Sequence, residues 1–422
     1  MDKKLYDAYV SILREELVPA MGCTEPIAIA FAAAVSRQVL GCIPEQVEIC
    51  VSGNIIKNVK SVVVPHTGGL RGIEAAAAAG IVAGQAEKML EVLSSVTDKQ
   101  ICQMAEYLKH TKIGVTKSES DKIFEIIIKV IGGGHTALTH IVNHHTEVVL
   151  VQRDGVPVYE MTYEDIKEQK TDRSLLSVEN IVAFADEVKV DDVRDVIARQ
   201  VAYNTAIAKE GLNGNYGANI GRVLLFSYGD TVHNRAKAWA AAGSDARMNG
   251  CELPVVINSG SGNQGMTASL PVVVYAKELG VSEDLMYRAL VVSNLITAHL
   301  KTGIGSLSAY CGAISAGCGA GAGIMYLHGG RNREIAHTIV NALAINSGVV
   351  CDGAKASCAA KIASAVEAGL LGMQMFMHGN QFVGGDGIVT KGVEATIKNV
   401  GMLAREGMKE TDKEILNIML GN

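Results

Sequence analysis

Hydrophobic and polar residues alternate at helical spacing at the start of the chain. Residues 1–18 (MDKKLYDAYVSILREELV) mix charged and apolar side chains, and an alanine-rich apolar run follows the Gly22–Cys23 pair. Thr24 is a good N-cap and Pro26 suits the first turn of a helix. The pattern therefore predicts two helices within residues 1–44, one before and one after the Gly22–Cys23 break.

From residue 45 to residue 171 the pattern is mixed. Strand-like alternation, a helical run and a hairpin signal at Asp154–Gly155 follow one another, which predicts an α+β domain. The predicted strands are VEICV (47–51), KSVVVP (60–65), IFEIIIKV (123–130) and the two arms of TEVVLVQRDGVPVYEM (146–161), and the predicted helix is GIEAAAAAGIVAGQAEKML (72–90). A polar linker, KEQKTDRSLLS (167–177), ends this section.

Beyond residue 172 nearly every segment has a helical pattern. The segment 191–211 is amphipathic, whereas the later ones are rich in Ala and Gly and apolar on most faces, which is typical of helices inside a layered α-domain. These segments are 233–248, 265–279, 283–301, 308–327, 333–347 and 355–371. We therefore expect a mainly α protein with an α+β section. The large helical domain spans 172–422, residues 1–44 pack on it, and the 45–171 domain is an insertion or a lid.

Composition narrows the classes of function. The 422 residues are 48% hydrophobic and 19% charged, with a net charge of -6. The sequence has no dense Lys/Arg run, so we expect neither nucleic acid nor an anionic membrane as a partner. Residues 1–18 lack the apolar core of a signal peptide, so we expect a cytoplasmic protein. An apolar, Gly/Ala-rich chain of this size also favours a homo-oligomer.

One uncharged segment, residues 302–330, is long enough to span a membrane. It consists of Gly, Ala and Ser rather than large apolar residues, and no aromatic belt flanks it. We therefore expect a buried helix and no membrane span.

Four of the nine cysteines fall close together, at 311, 318, 351 and 358. In a reducing compartment such a group points to metal binding or catalysis rather than to disulfides. Both CGAISAGC and CDGAKASC have a seven-residue spacing, which on a helix separates the thiols by about 10 Å along the axis, too far to bind one zinc ion.

Asp352–Gly353 favours an irregular loop for the second pair of cysteines. The spacing thus predicts three ligands, namely Cys351, Cys358 and either Cys311 or Cys318. A cluster held by three thiolates leaves one iron open for Lewis-acid catalysis. The alternative is that these cysteines are ordinary small core residues.

Two glycine-rich loops are candidate substrate sites. NSGSGNQGMTASLP (258–271) leads into an apolar helix, and a helix N-terminus binds carboxylate or phosphate, so Ser259, Ser261, Gly262 and Asn263 are candidates. PHTGGLRG (65–72) offers Thr67, Gly68 and Gly69 in the same way. Both loops also fit simple helix-capping turns.

The 258–271 loop is also similar to the Ser-Gly-Asn loop of pyridoxal-phosphate dehydratases. That chemistry requires a Schiff-base lysine in a Ser-x-Lys-x-Arg setting upstream. Neither Lys209 nor Lys237 has this setting, which argues against pyridoxal phosphate.

Histidines and Cys23 complete the candidates. The spacing of His135, His140, His144 and His145 does not fit a shared metal site, and His135, directly after three glycines, is the one placed to reach a substrate. Cys23 precedes a helix N-terminus, where the helix dipole favours a thiolate and thus a base or nucleophile. Glu25 beside it opposes that effect.

Together these motifs resemble a known family. GCTEPIA (22–28), SDARMNG (244–250), GSGNQG (260–265) and CDGAKASC (351–358) are similar to signatures of the L-cysteine desulfidase group, which is related to the α-domain of iron–sulfur L-serine dehydratases. The resemblance extends over essentially the whole chain. It implies a 4Fe–4S cluster held by three cysteines and Cys23 as the catalytic base.

In the related dehydratases the first ligand lies about forty residues before a Cys-Asp pair, and Cys311 is 40 residues before Cys351 whereas Cys318 is 33 before it. The resemblance thus implies Cys311, Cys351 and Cys358 as ligands. The implied reaction is β-elimination, in which the open iron binds the carboxylate and polarises the β-substituent of L-cysteine, giving sulfide, pyruvate and ammonia.

Three alternatives remain. The same site suits L-serine, because the two substrates differ by one atom. A pyridoxal-phosphate β-lyase and a non-catalytic amino-acid-binding protein are the others.

Overall fold

The computed structural model describes residues 1–21, 24–161, 170–305 and 308–421, and the fold is mainly α with an α+β section, as predicted. The helices are α1 (Lys3–Glu16), α2 (Thr24–Leu40), α3 (Gly53–Val59), α4 (Gly72–Ala83), α5 (Asp98–His110), α6 (Val178–Glu187), α7 (Arg194–Asn213), α8 (Ile220–Tyr228), α9 (Val232–Met248), α10 (Gly262–Glu278), α11 (Glu283–Ile304), α12 (Gly312–Leu327), α13 (Asn332–Ile345), α14 (Cys358–Met377), α15 (Val393–Met402) and α16 (Lys409–Leu420). The strands are β1 (Pro19–Met21), β2 (Gln46–Val51), β3 (Lys112–Lys117), β4 (Glu125–Gly132), β5 (His135–Val142), β6 (Val148–Arg153), β7 (Val156–Glu160) and β8 (Pro254–Val256).

The α+β section contains a six-stranded sheet in the order β3-β2-β4-β5-β6-β7. Strands β2 and β3 run parallel, and all other neighbours are antiparallel. Tight turns at Gly133–Gly134 and Asp154–Gly155 join its hairpins, and all four residues have positive φ, as type I′ turns require. The predicted Asp154–Gly155 hairpin is thus confirmed.

Three details of this section differ from expectation. Residues 60–65 form no strand; instead Val63 makes a single bridge to Arg71 that closes a loop. The helix predicted to reach residue 90 ends at Ala83, because Gly84 leaves the helix in an extended conformation. Helices α3 and α5 and strands β3 and β5 had no predicted counterpart.

The N-terminal helices divide between the two parts of the fold, although we expected both to pack on the helical domain. Helix α1 does join the helical core through Tyr9, Ile12 and Leu13. Helix α2 instead lies on the sheet and shares a core with β2 and β4. Its Ser36 Oγ is 3.1 Å from the Ile128 carbonyl oxygen of β4, because this apolar helix covers the buried face of the sheet.

The rest of the chain forms the helical part. Its core contains residues of α1, α6 and α7 and of every helix from α9 through α14. The uncharged 302–330 segment contains α12, which is buried along its length from Ala313 to Leu327. Across the described residues, no helix combines the length and the apolar character needed to cross a membrane.

Helices α10, α12 and α14 lie side by side and run parallel. A Cβ at Gly317 or Gly321 of α12 would clash with backbone atoms of Ala365 or Gly369 of α14, and a Cβ at Gly323 would touch Val272 of α10. The Gly/Ala composition therefore permits backbone-to-backbone packing, and the three N-termini emerge on one side of the molecule.

This packing predicts an asymmetric response to Gly-to-Ala changes. Gly317→Ala should lower the free energy of unfolding by about 1–3 kcal/mol, because the added methyl must displace the α14 backbone. Gly303→Ala on α11 is the matched control: its Cβ would meet only the Gly401 Cα at 3.5 Å, so stability should hold or rise slightly. Denaturant unfolding of the metal-free proteins, followed by circular dichroism, measures both. Equal midpoints for the two variants would contradict the close packing.

Candidate functional site

A cavity of about 290 Å³ lies where α10, α12 and α14 begin. Its size suits a small metabolite. Each helix N-terminus carries roughly half a positive charge, so three of them favour anions and thiolates at one place. The residues that line it are Glu25, Asn54, Lys57, Asn58, Arg247, Ser259, Gly260, Ser261, Asn263, Gln264, Lys301, Ser308, Tyr310, Cys311, Gly312, Ala313, Cys351, Gly353, Ala354, Cys358, Lys361 and Ile362.

Cys311, Cys351 and Cys358, called here the cysteine trio, all line this cavity. Cys311 is the N-cap of α12 and Cys358 is the first residue of α14, while Cys351 lies in the irregular loop predicted for CDGAKASC. By contrast, Cys318 lies within α12, is buried in the core and is not among the lining residues.

A short antiparallel bridge holds two of these cysteines together. Tyr310 pairs with Val350, the Cys311 N–H donates to the Val349 carbonyl at 3.0 Å, and the Cys351 N–H donates to the Ala309 carbonyl at 2.5 Å. This register places Cys311 and Cys351 on the same face as diagonal neighbours.

A hydrogen bond between the Cys311 and Cys351 thiols shifts their pKa values in opposite directions. The hydrogen bond with Cys311 lowers the pKa of Cys351 to about 5. The same hydrogen bond, together with burial, raises the pKa of Cys311 well above its ordinary range. Burial also raises the pKa of Cys358. Without a metal, Cys351 is therefore the member of the trio that loses its proton most easily.

Three lysines surround the trio, and each has a protein partner. Lys57 pairs with Asp412, Lys361 pairs with Asp352 and donates to the Val350 carbonyl, and Lys301 donates to the Gly305 carbonyl at 2.7 Å. Burial lowers the pKa of Lys301, which the nearby thiols oppose. The positive charges of these lysines offset the charge of thiolates in the cavity.

The trio suits a cluster better than a single ion. Within the part of the chain that the structure describes, no three His, Cys, Asp or Glu side chains are arranged to hold one metal ion. The thiolates of an iron–sulfur cluster bind separate iron atoms, so three sulfurs spread around one cavity are compatible with it. Among the described residues, the lining includes no fourth cysteine.

The 258–264 loop forms part of the cavity wall, and the predicted Ser259, Ser261 and Asn263 line the cavity. Its shape is held from outside. The Ser259 N–H donates to Glu16 Oε2 at 2.9 Å, and Asn258 Nδ2 donates to Asn294 Oδ1 at 2.9 Å. Ser261 caps α10. The predicted Gly262 is not a lining residue; a Cβ there would collide with the Arg247 guanidinium.

Sequence reasoning did not select three polar side chains that also line the cavity, Arg247, Gln264 and Tyr310. Each has a buried atom that finds no hydrogen-bond partner in the part of the chain that the structure describes: Arg247 Nε, Gln264 Oε1 and Tyr310 Oη. Gln264 is only 6% exposed and Tyr310 only 1%. Buried polar atoms normally have partners, and these three belong to residues of one cavity lining. Arg247 and Gln264 lie in the SDARMNG and GSGNQG motifs, which were the available signal.

The structure does not bring four other predicted site residues to the cavity lining. Thr67 is buried and donates to the Val64 carbonyl at 2.7 Å, and Gly68 and Gly69 adopt positive φ in a tight turn. His135 starts β5 and its Nδ1 lies 2.8 Å from Asp154 Oδ2. The glycines that precede it make a hairpin turn, not an anion-binding loop.

Cys23 lies outside the described residues, but the chain on both sides of it is described. Met21 ends β1, which pairs with β8, the strand that leads into the 258–264 loop. On the other side, Glu25 in the first turn of α2 lines the cavity.

Comparison with known proteins identifies the family of the chain. A family model for the serine dehydratase alpha chain matches residues 87–417. A UPF0597 protein of Desulfitobacterium hafniense is 60% identical over 99% of this chain and 97% of its own length. UPF0597 proteins of Lachnoclostridium phytofermentans and Treponema denticola are 51% and 47% identical over 99% and 100% of this chain, and over 100% and 99% of their own lengths.

The lowered pKa of Cys351 predicts selective alkylation of this cysteine in the reduced, metal-free protein. Cys351 should react with iodoacetamide at about pH 6–7, with a rate that rises as its thiol ionises near pH 5 and then levels off. Cys318, whose pKa burial raises to about 12, should stay unlabelled until the protein is unfolded. Mass spectrometry of tryptic peptides measures both. Labelling of Cys351 that begins only above about pH 8, like an ordinary thiol, would refute the assignment.

Proposed function

The chain belongs to the serine dehydratase alpha chain family, and on that basis we propose that it is a lyase that eliminates the β-substituent of a small L-amino acid. We infer L-cysteine as the substrate, with sulfide, pyruvate and ammonia as products. Dehydration of L-serine at the same site is the second activity that we expect, because the two substrates share their charged groups.

One observation carries the proposal: the cysteine trio, the 258–264 loop and three buried polar atoms without partners meet at a single cavity. A structural role for the cysteines alone would not require an anion-binding loop beside them. A simple capping role for the loop would not leave buried polar atoms unsatisfied.

Cys311, Cys351 and Cys358 are the residues that would hold a 4Fe–4S cluster. Such a cluster, with one iron free of protein ligands, supplies a Lewis acid that polarises the bond from the β-carbon to sulfur or oxygen. Around it, the lysines compensate the charge of three thiolates.

The chain's own residues do the remaining chemistry. The loop and the α10 N-terminus bind the carboxylate, and the Cys23 thiolate takes the proton from Cα. The electron pair forms the Cα–Cβ double bond as the β-substituent leaves. The helix N-termini stabilise the negative charge that develops next to the carboxylate. The released aminoacrylate tautomerises, and water hydrolyses the imine to pyruvate and ammonia.

The proposal is tested by anaerobic iron reconstitution followed by parallel assays of sulfide and pyruvate from L-cysteine and L-serine. Iron incorporation with pyruvate formation from either substrate supports it. A lysine adduct trapped by borohydride would favour pyridoxal phosphate instead. Tight amino-acid binding without any product would favour a non-catalytic binding protein.

Variants of Cys311 and Cys318 test which of these two cysteines is a ligand of the cluster. Cys311→Ala should lose most of the reconstituted iron and the broad absorbance at about 400 nm, because one thiolate of three is gone. Cys318→Ala is the matched control and should keep both, since Cys318 faces the core. Iron analysis and the absorbance spectrum read this without any turnover. Full iron content in Cys311→Ala would exclude it as a ligand.

The base assignment predicts a different phenotype. Cys23→Ala should keep the iron content and colour of the wild type while turnover falls by about 10²–10⁴-fold, the usual contribution of a positioned base. Cys23→Ser serves as the near-isosteric comparison. Wild-type turnover in Cys23→Ala would remove Cys23 from the mechanism.

A further inference from the structure

Four cationic side chains line the cavity, Arg247 and the lysines at 57, 301 and 361. The lysines have the carboxylate and carbonyl partners described above. Arg247 is different. Its guanidinium has five N–H donors, and among the described residues it makes one hydrogen bond, from Nη1 to Asn263 Oδ1 at a long 3.5 Å.

Arg247 is placed for a ligand by its surroundings. It projects from the last turn of α9 and lies over Gly262, where any side chain would occupy the position of its guanidinium. The α10 N-terminus begins at the same glycine. Gln264, 6% exposed and with an unpartnered Oε1, lines the cavity beside it, and Gly312 leaves room for that side chain. Arg, amide and helix N-terminus form a set that fits a planar carboxylate.

The cavity also has a negative side. Glu25 is the one acidic side chain among the lining residues that are described. Its Oε1 accepts from Asn58 Nδ2 at 3.3 Å and its Oε2 from Thr24 Oγ1 at 3.4 Å. A carboxylate attracts an ammonium group by its charge and accepts hydrogen bonds from it.

We propose that Arg247 and Glu25 are the two charge-reading residues of this site, Arg247 binding the α-carboxylate and Glu25 the α-ammonium group of an L-amino acid. The inference rests on the proposed function for the class of ligand. A zwitterion held at both charges presents its β-carbon to the remaining wall, which carries the cysteine trio. The two charged contacts then select free amino acids, and the β-substituent contacts the cysteine trio.

The test uses ligands that bind but cannot eliminate. L-Alanine carries both charges, L-alaninamide lacks the carboxylate, and propionate lacks the ammonium. Titration calorimetry on the reconstituted protein should show L-alanine binding at least about tenfold more tightly than L-alaninamide. Arg247→Gln should weaken L-alanine about 10- to 100-fold and abolish that preference. Glu25→Gln should weaken L-alanine but leave propionate unchanged.

Controls separate recognition from folding. Arg222→Gln removes an exposed arginine outside the cavity and should bind like the wild type. Arg247→Lys keeps the charge but not the planar fork, so its affinity should be intermediate. Should Arg247→Gln fail to fold, as judged by its thermal midpoint, Arg247→Lys and the wild-type ligand series decide.

The inference is overturned if the wild type binds L-alanine no more tightly than L-alaninamide, or if Arg247→Gln keeps the preference. Its failure is distinct from that of the proposed function. Turnover with an unchanged KM in Arg247→Gln would defeat the inference alone, whereas the expected binding pattern without elimination would defeat the proposed lyase alone.

Discussion

The site depends on how closely α10, α12 and α14 approach one another. Gly317, Gly321 and Gly369 allow α12 and α14 to pack backbone to backbone, and this parallel arrangement brings three helix N-termini to one wall. Cys311 and Cys358 occupy the starts of two of these helices, and Ser261 caps the third. Larger side chains at the crossing would spread the helix starts and, with them, the thiols.

Buried polar groups behind the 258–264 loop have hydrogen-bond partners, whereas some in the cavity lining do not find one among the described residues. Behind the loop, buried amides satisfy one another: Gln200 and Asn294 exchange two hydrogen bonds, and Asn294 also accepts from Asn258. At the cavity surface the opposite holds, since Gln264 and Tyr310 keep buried atoms without partners. A satisfied network makes the loop rigid, and unsatisfied atoms on its inner side make it receptive to a ligand.

Local pattern was enough to predict the later helices, the hairpin and β4, because each is a long periodic run or a strong turn signal. It failed where tertiary contacts decide. The alanine-rich surface of α2 could pack on either layer, and only the buried face of the sheet determines its place. For the site, spacing left Cys311 and Cys318 as alternatives. The Tyr310–Val350 bridge that brings Cys311 beside Cys351 is a long-range contact that no local pattern reveals. Arg247 was missed because the feature that distinguishes it, a buried Nε that no described residue accepts from, exists only in the folded chain.

The α+β section contributes residues to the site. Helix α3 contributes Asn54, Lys57 and Asn58 to the cavity lining. The Lys57 carbonyl accepts the Ala354 N–H at 3.1 Å, and Gly353 has no Cβ because that carbonyl occupies the space. The loop that carries Cys351 therefore takes its shape against α3, while the Lys57 side chain pairs with Asp412 on α16. The position of α3 therefore bears directly on the shape of the cysteine loop.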